Sequence, residues 1–315
     1  MKVRTIAGGL GQLAAALSIL GASVGTAACG GRGELLGTIG LAPDGASPGA
    51  GGSRAPQLSA PQLVTAVSDP TAYDADPTVT GDLLEMFFLS DRSGNRDIWT
   101  SRRASSSDPW GDPTTVAALN SPFPEEGPSI SLDGRRIWFV TDRDGAGRRI
   151  WFASRATRTA PWAAPQPVTE LAAVSGNDLG PSLDAAETTI FFGSSRPGSV
   201  GGYDLFFSTR PNTSAPWSVP RPVPGINTSF DEREPFVAQG GLEVYFTSSR
   251  TGAGDLYWSV RQSTTEPFAT PLPLVDLNSP TAYDSDPTLS QDLTYILFDS
   301  QRSGVSDIYE AHTVP

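Results

Sequence analysis

The 315-residue chain has a single cysteine, Cys29, a single histidine, His312, and a single lysine, Lys2. One thiol excludes any disulfide within the chain, and one thiol with one imidazole excludes a Cys/His zinc site. Only His312, close to the C-terminal end, could act as the base of a Ser/His/Asp arrangement, so most hydrolase classes lose their usual tools. No catalytic residue, cofactor or metal site is therefore assigned from the sequence. Positive charge is almost wholly arginine, and 22 basic residues against 34 acidic ones give a net charge of −12. A surface of that sign is a poor match for nucleic acid or anionic lipid. No segment keeps helical periodicity over a useful length, and the apolar stretch Ile6 to Leu20 is too short and glycine-broken to span a bilayer stably. Hydrophobic residues make up 38% and aromatics 9%, enough for a sizeable core.

What the chain has in abundance is repetition. Arginine recurs at Arg92, Arg143, Arg196, Arg250 and Arg302, and proline at Pro77, Pro128, Pro181, Pro235 and Pro287. Both series step by 51, 53, 54 and 52 residues. Self-similarity at such a period marks a solenoid, propeller or array. Each unit divides into four extended pieces. The first follows the proline, as in Ser129-Ile130-Ser131, and a turn such as Leu132-Asp133-Gly134 leads to a continuous apolar run such as Ile137-Trp138-Phe139-Val140. Runs of that kind suit strands buried on both faces. The third piece is Asp97-Ile98-Trp99 and its echoes. The fourth follows Pro109-Trp110 and its counterparts, and takes in Val168 to Leu171 and Leu274 to Leu277. Trp110, Trp162, Trp217 and Phe268 share one blade position and are read as packing residues.

Four short antiparallel strands per unit define a propeller blade, so the expected fold is all-β, a single five-bladed β-propeller over residues 61–315, with six blades as the alternative count. The fifth unit ends without a fourth piece, while Pro61-Gln62-Leu63-Val64-Thr65 precedes the first without a blade of its own. The N-terminal strand is expected to complete the last blade and cover its open edge.

The unit, carried by residues 128–139 and by Ser90-Asp91-Arg92-Ser93-Gly94-Asn95-Arg96-Asp97-Ile98-Trp99, resembles the WD-like β-propeller repeat of the TolB C-terminal domain and of many bacterial envelope proteins. That resemblance implies a propeller fold and an envelope setting. TolB has six such blades after an N-terminal domain, so its own partners are not carried over, and the repeat occurs in binding scaffolds and enzymes alike.

Residues 1–28 read as a secretory signal: Lys2 and Arg4, an apolar stretch, then small residues from Ala22 to Ala28. Thr26-Ala27-Ala28-Cys29 resembles a bacterial lipobox, which implies acylation of Cys29 as the mature N-terminus; ordinary signal cleavage leaving Cys29 as an incidental thiol is the alternative. Gly30 after the cysteine resembles an outer-membrane address. Residues 29–60 are rich in glycine and proline and read as a flexible tether that would hold the domain on the order of 30 Å from its anchor. The mature chain would keep 20 basic and 34 acidic residues, a charge of −14.

Candidate binding residues cluster before the repeat proline. Three positions before it an acid stands in every unit: Asp74, Glu125, Asp178, Glu232 and Asp284. One position before it stand Asp76, Glu234 and Asp286, replaced by Gly127 and Gly180 in units two and three. Glu126 and Arg233 lie two before it, Tyr73 and Tyr283 four before it. A strand entering the ring here would bring these side chains to one mouth of the channel, where carboxylates raise one another's pKa and attract cations or basic groups. The competing reading is that the invariant acids pair with the invariant arginines or cap backbone N–H groups, leaving function to the positions where the symmetry breaks. The alternating oxygens of Asp91 to Asp97 resemble a calcium loop, but they are read as a hairpin turn because the glutamate such a loop needs is missing.

The expected function is a non-catalytic envelope lipoprotein whose propeller is a binding scaffold for a protein, peptide or glycan. The alternative is a glycoside hydrolase-like enzyme working with two channel-mouth carboxylates.

Overall fold

The structure is a computed structural model that describes residues 54–314. The expected signal segment, Cys29 and the first part of the tether lie outside the described residues. Five four-stranded antiparallel sheets follow one another in a ring, the five-bladed β-propeller expected from the repeat. The innermost strands are Asp74–Val79, Glu125–Ile130, Asp178–Leu183, Glu232–Ala238 and Asp284–Leu289, each in contact with the next and the last with the first. Among the described residues the single helical element is a 3-10 turn, Thr169–Leu171.

The second strands are the apolar runs of the sequence: Glu85–Ser90, Arg136–Thr141, Thr189–Ser194, Glu243–Ser248 and Tyr295–Ser300. Their central residues are buried on both faces because every blade is stacked between two others. Five core clusters follow, each shared by two consecutive blades. Phe87, Ile98, Ile137 and Phe139 join blades one and two, and Val79, Phe88, Leu297 and Ile308 join blades five and one. Burying a side chain of this size contributes about 1.5–3 kcal/mol. Each interface is therefore a core in its own right.

The third strands, such as Asp97–Arg102, pair fully with the second. The fourth are shorter than the sequence suggests: Thr114–Thr115, Gln166–Pro167, Arg221–Pro222 and Leu272–Pro273. Three of them end on a proline, which lacks the N–H needed to extend a ladder. The stretch expected to form the fourth strand of the second unit instead turns as Thr169–Leu171, with Leu171 buried.

The ring closes as expected. Gln62–Leu63 pairs with the last strand, Asp307–His312, through Gln62 opposite Glu310 and Leu63 opposite Tyr309. Closure also takes in residues ahead of Pro61: Leu58 is buried, bridges to Thr313, and its N–H donates to Asp276 Oδ2 at 3.0 Å.

Candidate functional site: the acidic waist of the channel

The five invariant acids are structural. Asp74, Glu125, Asp178, Glu232 and Asp284 are fully buried and meet Arg92, Arg143, Arg196, Arg250 and Arg302 at 2.6, 2.9, 2.7, 3.1 and 2.6 Å. Each arginine lies over two rings of its blade, as Arg196 lies over Phe192 and Phe206, and donates to a loop carbonyl, as Arg92 does to Val67. Burial pushes the carboxyls of Asp74, Glu125 and Asp178 upward in pKa, against the pull of their hydrogen bonds and arginines. These five acids are absent from the channel wall, so the structure does not bring them together with the other candidates. The rings recurring before the fourth strand are also packing residues: Trp110, Trp217 and Phe268 are buried, and Arg103, Arg155, Arg210 and Arg261 lie over Trp110, Trp162, Trp217 and Phe268.

The position just before the proline is different. In every innermost strand the register shifts there, between Ala75 and Thr78 in the first blade and at the equivalent residues in the others. A bulge of this kind turns one residue out of the ladder and re-aims its side chain. The backbone at that residue is left-handed in all five blades, with φ of 54° at Asp76, 57° at Gly127, 43° at Gly180, 42° at Glu234 and 53° at Asp286. Glycine adopts this conformation freely; another residue there is strained, and such strain gathers at functional sites. The glycines are also sterically needed, since a Cβ on Gly180 would sit 2.9 Å from Glu234 Cα.

Asp76, Glu234 and Asp286 thus converge on a waist of the channel shared by the cavities on its two sides, where a fourth carboxylate, Asp299, joins them. Carboxylate oxygens of Asp76, Asp286 and Asp299 lie within 4.8 Å of one another. Asp299 stands in the second strand of the last blade, where the other blades have Leu89, Val140, Gly193 and Thr247 opposite the residue before the bulge. Sequence reasoning passed over it, although an aspartate directly after the apolar run Tyr295 to Phe298, where the first two blades continue with Leu89 and Val140, was the available signal. Ser285 and Ser306 hydroxyls donate to Asp299 Oδ2 at 2.9 and 2.7 Å. Asp76 Oδ2 accepts the Gly127 N–H at 2.7 Å. Among the described residues none of these four carboxylates has an arginine within ion-pair distance.

Burial and mutual repulsion keep protons on this group. Asp76 is pushed up to about 6 by burial and the nearby Asp299, and Glu234 to about 8 by burial and Asp76. Asp286 is raised well above the carboxylate range by burial and by Asp76, Glu234 and Asp299, and burial raises Asp299.

Above the waist opens a funnel of about 400 Å³. Its wall carries Tyr73, Tyr203 and Tyr283 with Arg96, Arg148 and Arg233. Arg96 lies 5.0 Å over Tyr73 and Arg233 4.4 Å over Tyr203. Glu126 is held by Arg96 at 2.6 Å and Arg148 at 2.9 Å, while Arg233 bonds Asp231 at 2.5 Å. Gly254 leaves room for Tyr283, whose ring would lie 2.4 Å from a Cβ there. Burial raises the Tyr73 and Tyr283 hydroxyls, which stay protonated donors. Arg96, Arg148 and Tyr203 escaped sequence reasoning because they precede the third strand, far in sequence from the proline motif. A narrower cavity of about 140 Å³ on the other side of the waist is lined by Thr78, Ser131, Ser182 and Thr288.

The fold and site define a five-bladed propeller with an acidic waist. No family model and no curated protein matches the chain. Solved structures do. The α-L-arabinofuranosidase PaAbf62A from Podospora anserina, in complex with cellotriose, is similar at 10% identity over 82% of this chain and 98% of that one, with a TM-score of 0.53. The catalytic domain of the Coprinopsis cinerea GH62 α-L-arabinofuranosidase matches at 11% identity, covering 82% and 96%, with a TM-score of 0.52. A putative TolB from Agrobacterium tumefaciens matches at 14% identity, covering 76% and 77%, with a TM-score of 0.49. Likeness at these identities extends to the fold.

Proposed function

We propose that the protein is a non-catalytic binding module of the bacterial cell envelope, tethered through an acylated Cys29 at the outer membrane, whose funnel receives a segment of a protein partner. The observation that carries this reading is the wall of three tyrosines and three arginines above the acidic waist. Tyrosine and arginine are the residues that most often dominate binding energy when they line a pocket from which a partner expels water. Here they come from all five blades, at positions the repeat does not require.

The full-length protein, carrying a photo-crosslinking residue in place of Gln301 on the funnel wall, tests the reading in a Gram-negative host. The expected result is one crosslinked envelope protein, lost with Tyr73→Ala and Tyr283→Ala, and no sugar released from arabinofuranoside or xyloside substrates. The absence of a crosslink that depends on these tyrosines would overturn it. For the anchor, Cys29→Ser is expected to move the protein from the membrane fraction to the soluble one; an unchanged fraction counts against lipidation.

A second reading has one specific observation in its favour. Glu234 held protonated near neutrality beside the more acidic Asp76 is the unequal pair that acid–base chemistry uses. Glycoside hydrolysis by this pair would appear as sugar release abolished by Glu234→Gln.

A further inference from the structure

The loops around the funnel mouth break the repeat in two ways that building a blade does not require. The first is at the position five residues before the repeat proline. Blades one and five have Ala72 and Ala282 there, both buried, so the fold needs no more than a methyl group. Blades two and four have Phe123 and Phe230, 43% and 48% exposed. Each phenylalanine loop is pinned to a funnel residue of the preceding blade. The Glu125 N–H donates to the Arg96 carbonyl at 2.9 Å, and the Glu232 N–H to the Tyr203 carbonyl at 2.8 Å. Asn95 Nδ2 also donates to the Phe123 carbonyl at 2.9 Å. Blades one and five turn a ring into the funnel one position later, as Tyr73 and Tyr283. The same loop thus serves the inside of the mouth in two blades and its rim in two others.

The second break is an insertion. From the repeat arginine to the first residue of the third strand the chain takes five steps in blades one, four and five, six in blade two and eight in blade three. The extra length of blade three carries Val200, 70% exposed. Hydrogen bonds lock it in place: the Val200 and Gly201 N–H groups donate to the buried Asp204 at 2.6 and 3.1 Å, and the Tyr203 N–H to Asp231 Oδ1 at 2.9 Å. Gly201 approaches Phe230 so closely that a Cβ would stand 1.9 Å from its carbonyl oxygen. The Val200 loop therefore lies against Phe230, and the two form an apolar ledge next to Tyr203 and Arg233 of the funnel wall. Apolar side chains held in water by a hydrogen-bonded backbone are preorganised for a partner, which need not spend free energy ordering them.

We propose that this rim grips the partner on either side of the segment that enters the funnel, with Phe123 at one edge and Phe230 and Val200 at the other each taking a large apolar side chain, and Arg148 taking an acid. The inference rests on the reading of the funnel as a receptor for a protein segment and names the chemistry of that segment. The ledge brings no charge of its own, since Asp231 pairs with Arg233 and Asp204 is buried against N–H groups. On the Phe123 side Arg96 and Arg148 share the one carboxylate of Glu126, so the ion pairs of the wall leave a guanidinium in excess. An acid complements that excess and a base is repelled by it.

The experiment uses the full-length protein, immobilised, and a library of random linear peptides displayed on phage. The selected sequences are expected to share two large apolar residues flanking an acid, and one of them, made synthetically, is titrated in solution. Phe230→Ala and Phe123→Ala should each weaken its binding about tenfold at unchanged Tm. Alanine at the matching apolar residue of the peptide should cause the same loss, with little further loss when the two changes are combined. Arg148→Gln should reduce the salt dependence of binding. Val275→Ala, at an exposed valine beside the outermost strand of blade four, should change nothing. A peptide whose binding needs Tyr73 and Tyr283 but neither phenylalanine overturns the rim and leaves the funnel reading standing. Binding that needs the phenylalanines and neither tyrosine overturns the funnel reading and the proposal that rests on it. Failure to select any peptide overturns the proposal.

Discussion

Two arcs of the waist have the same backbone and opposite chemistry. Blades two and three place Gly127 and Gly180 at the bulge, whereas blades four, five and one place Glu234, Asp286 and Asp76. Since all five residues are left-handed, the geometry belongs to the repeat, and glycine is the residue that satisfies it at least cost. The three acids satisfy it with strain and then add repulsion. A chain selected only to build blades would carry five glycines there, so the acidic arc carries strain that building the blades does not require.

A second contrast lies within blades one, four and five, between the acid that pairs with arginine and the acid two residues later that does not. Breaking the first should have the largest effect. Arg196→Ala removes the most enclosed of the five arginines, strands Asp178, and is expected to destabilise by about 3–5 kcal/mol in chemical denaturation. A loss under 1 kcal/mol would mean the pairs are incidental.

The waist acids should make stability fall as pH rises. Their folded pKa values are raised, to about 6 for Asp76 and about 8 for Glu234, so between the unfolded values near 4 and pH 8 the folded state holds more protons than the unfolded one. Stability is then full below about pH 4 and lost as pH climbs through 6 and 8, by roughly 2–4 kcal/mol. The groups facing this cluster are Asp286, Asp299 and Glu126, with Arg96, Arg233 and the two tyrosines. Urea midpoints across that range measure the slope, and Glu234→Gln should flatten it. A slope of the opposite sign would contradict the protonation described.

At the glycine arc, Gly180→Ala should destabilise by about 1–3 kcal/mol, because the new Cβ would press on the Glu234 backbone in a conformation that disfavours a side chain. A neutral outcome would show that the waist relaxes, and that the acids opposite are not tightly held.

Much of the ring was legible in the sequence. Two landmarks stepping together gave the blade count, and the unpaired Gln62-Leu63 gave the closure. The pairing of invariant acids with invariant arginines was one of two readings open to a sequence, since only distances separate it from a ring of acids at the mouth. The fourth strands came out too long because apolar residues such as Leu274 and Leu277 fill the core from loops as readily as from strands. Within the site, Gly127 and Gly180 were read from the sequence only as breaks in the acid pattern, and the left-handed backbone they share with the acids emerged from the structure. Asp299, Tyr203, Arg96 and Arg148 were hidden because the channel wall is assembled from three strand positions per blade, and only one of them sits beside the proline.

The most direct test of the central claim, that the waist acids are held against the stability of the fold, is the unfolding free energy of Glu234→Gly measured at pH 7.5. Relief of a left-handed glutamate and of a buried carboxyl with an unpartnered Oε2 is expected to stabilise the protein by about 1 kcal/mol. A glycine variant less stable than the wild type would show that Glu234 supports the blade, and the account of the acidic arc would fail.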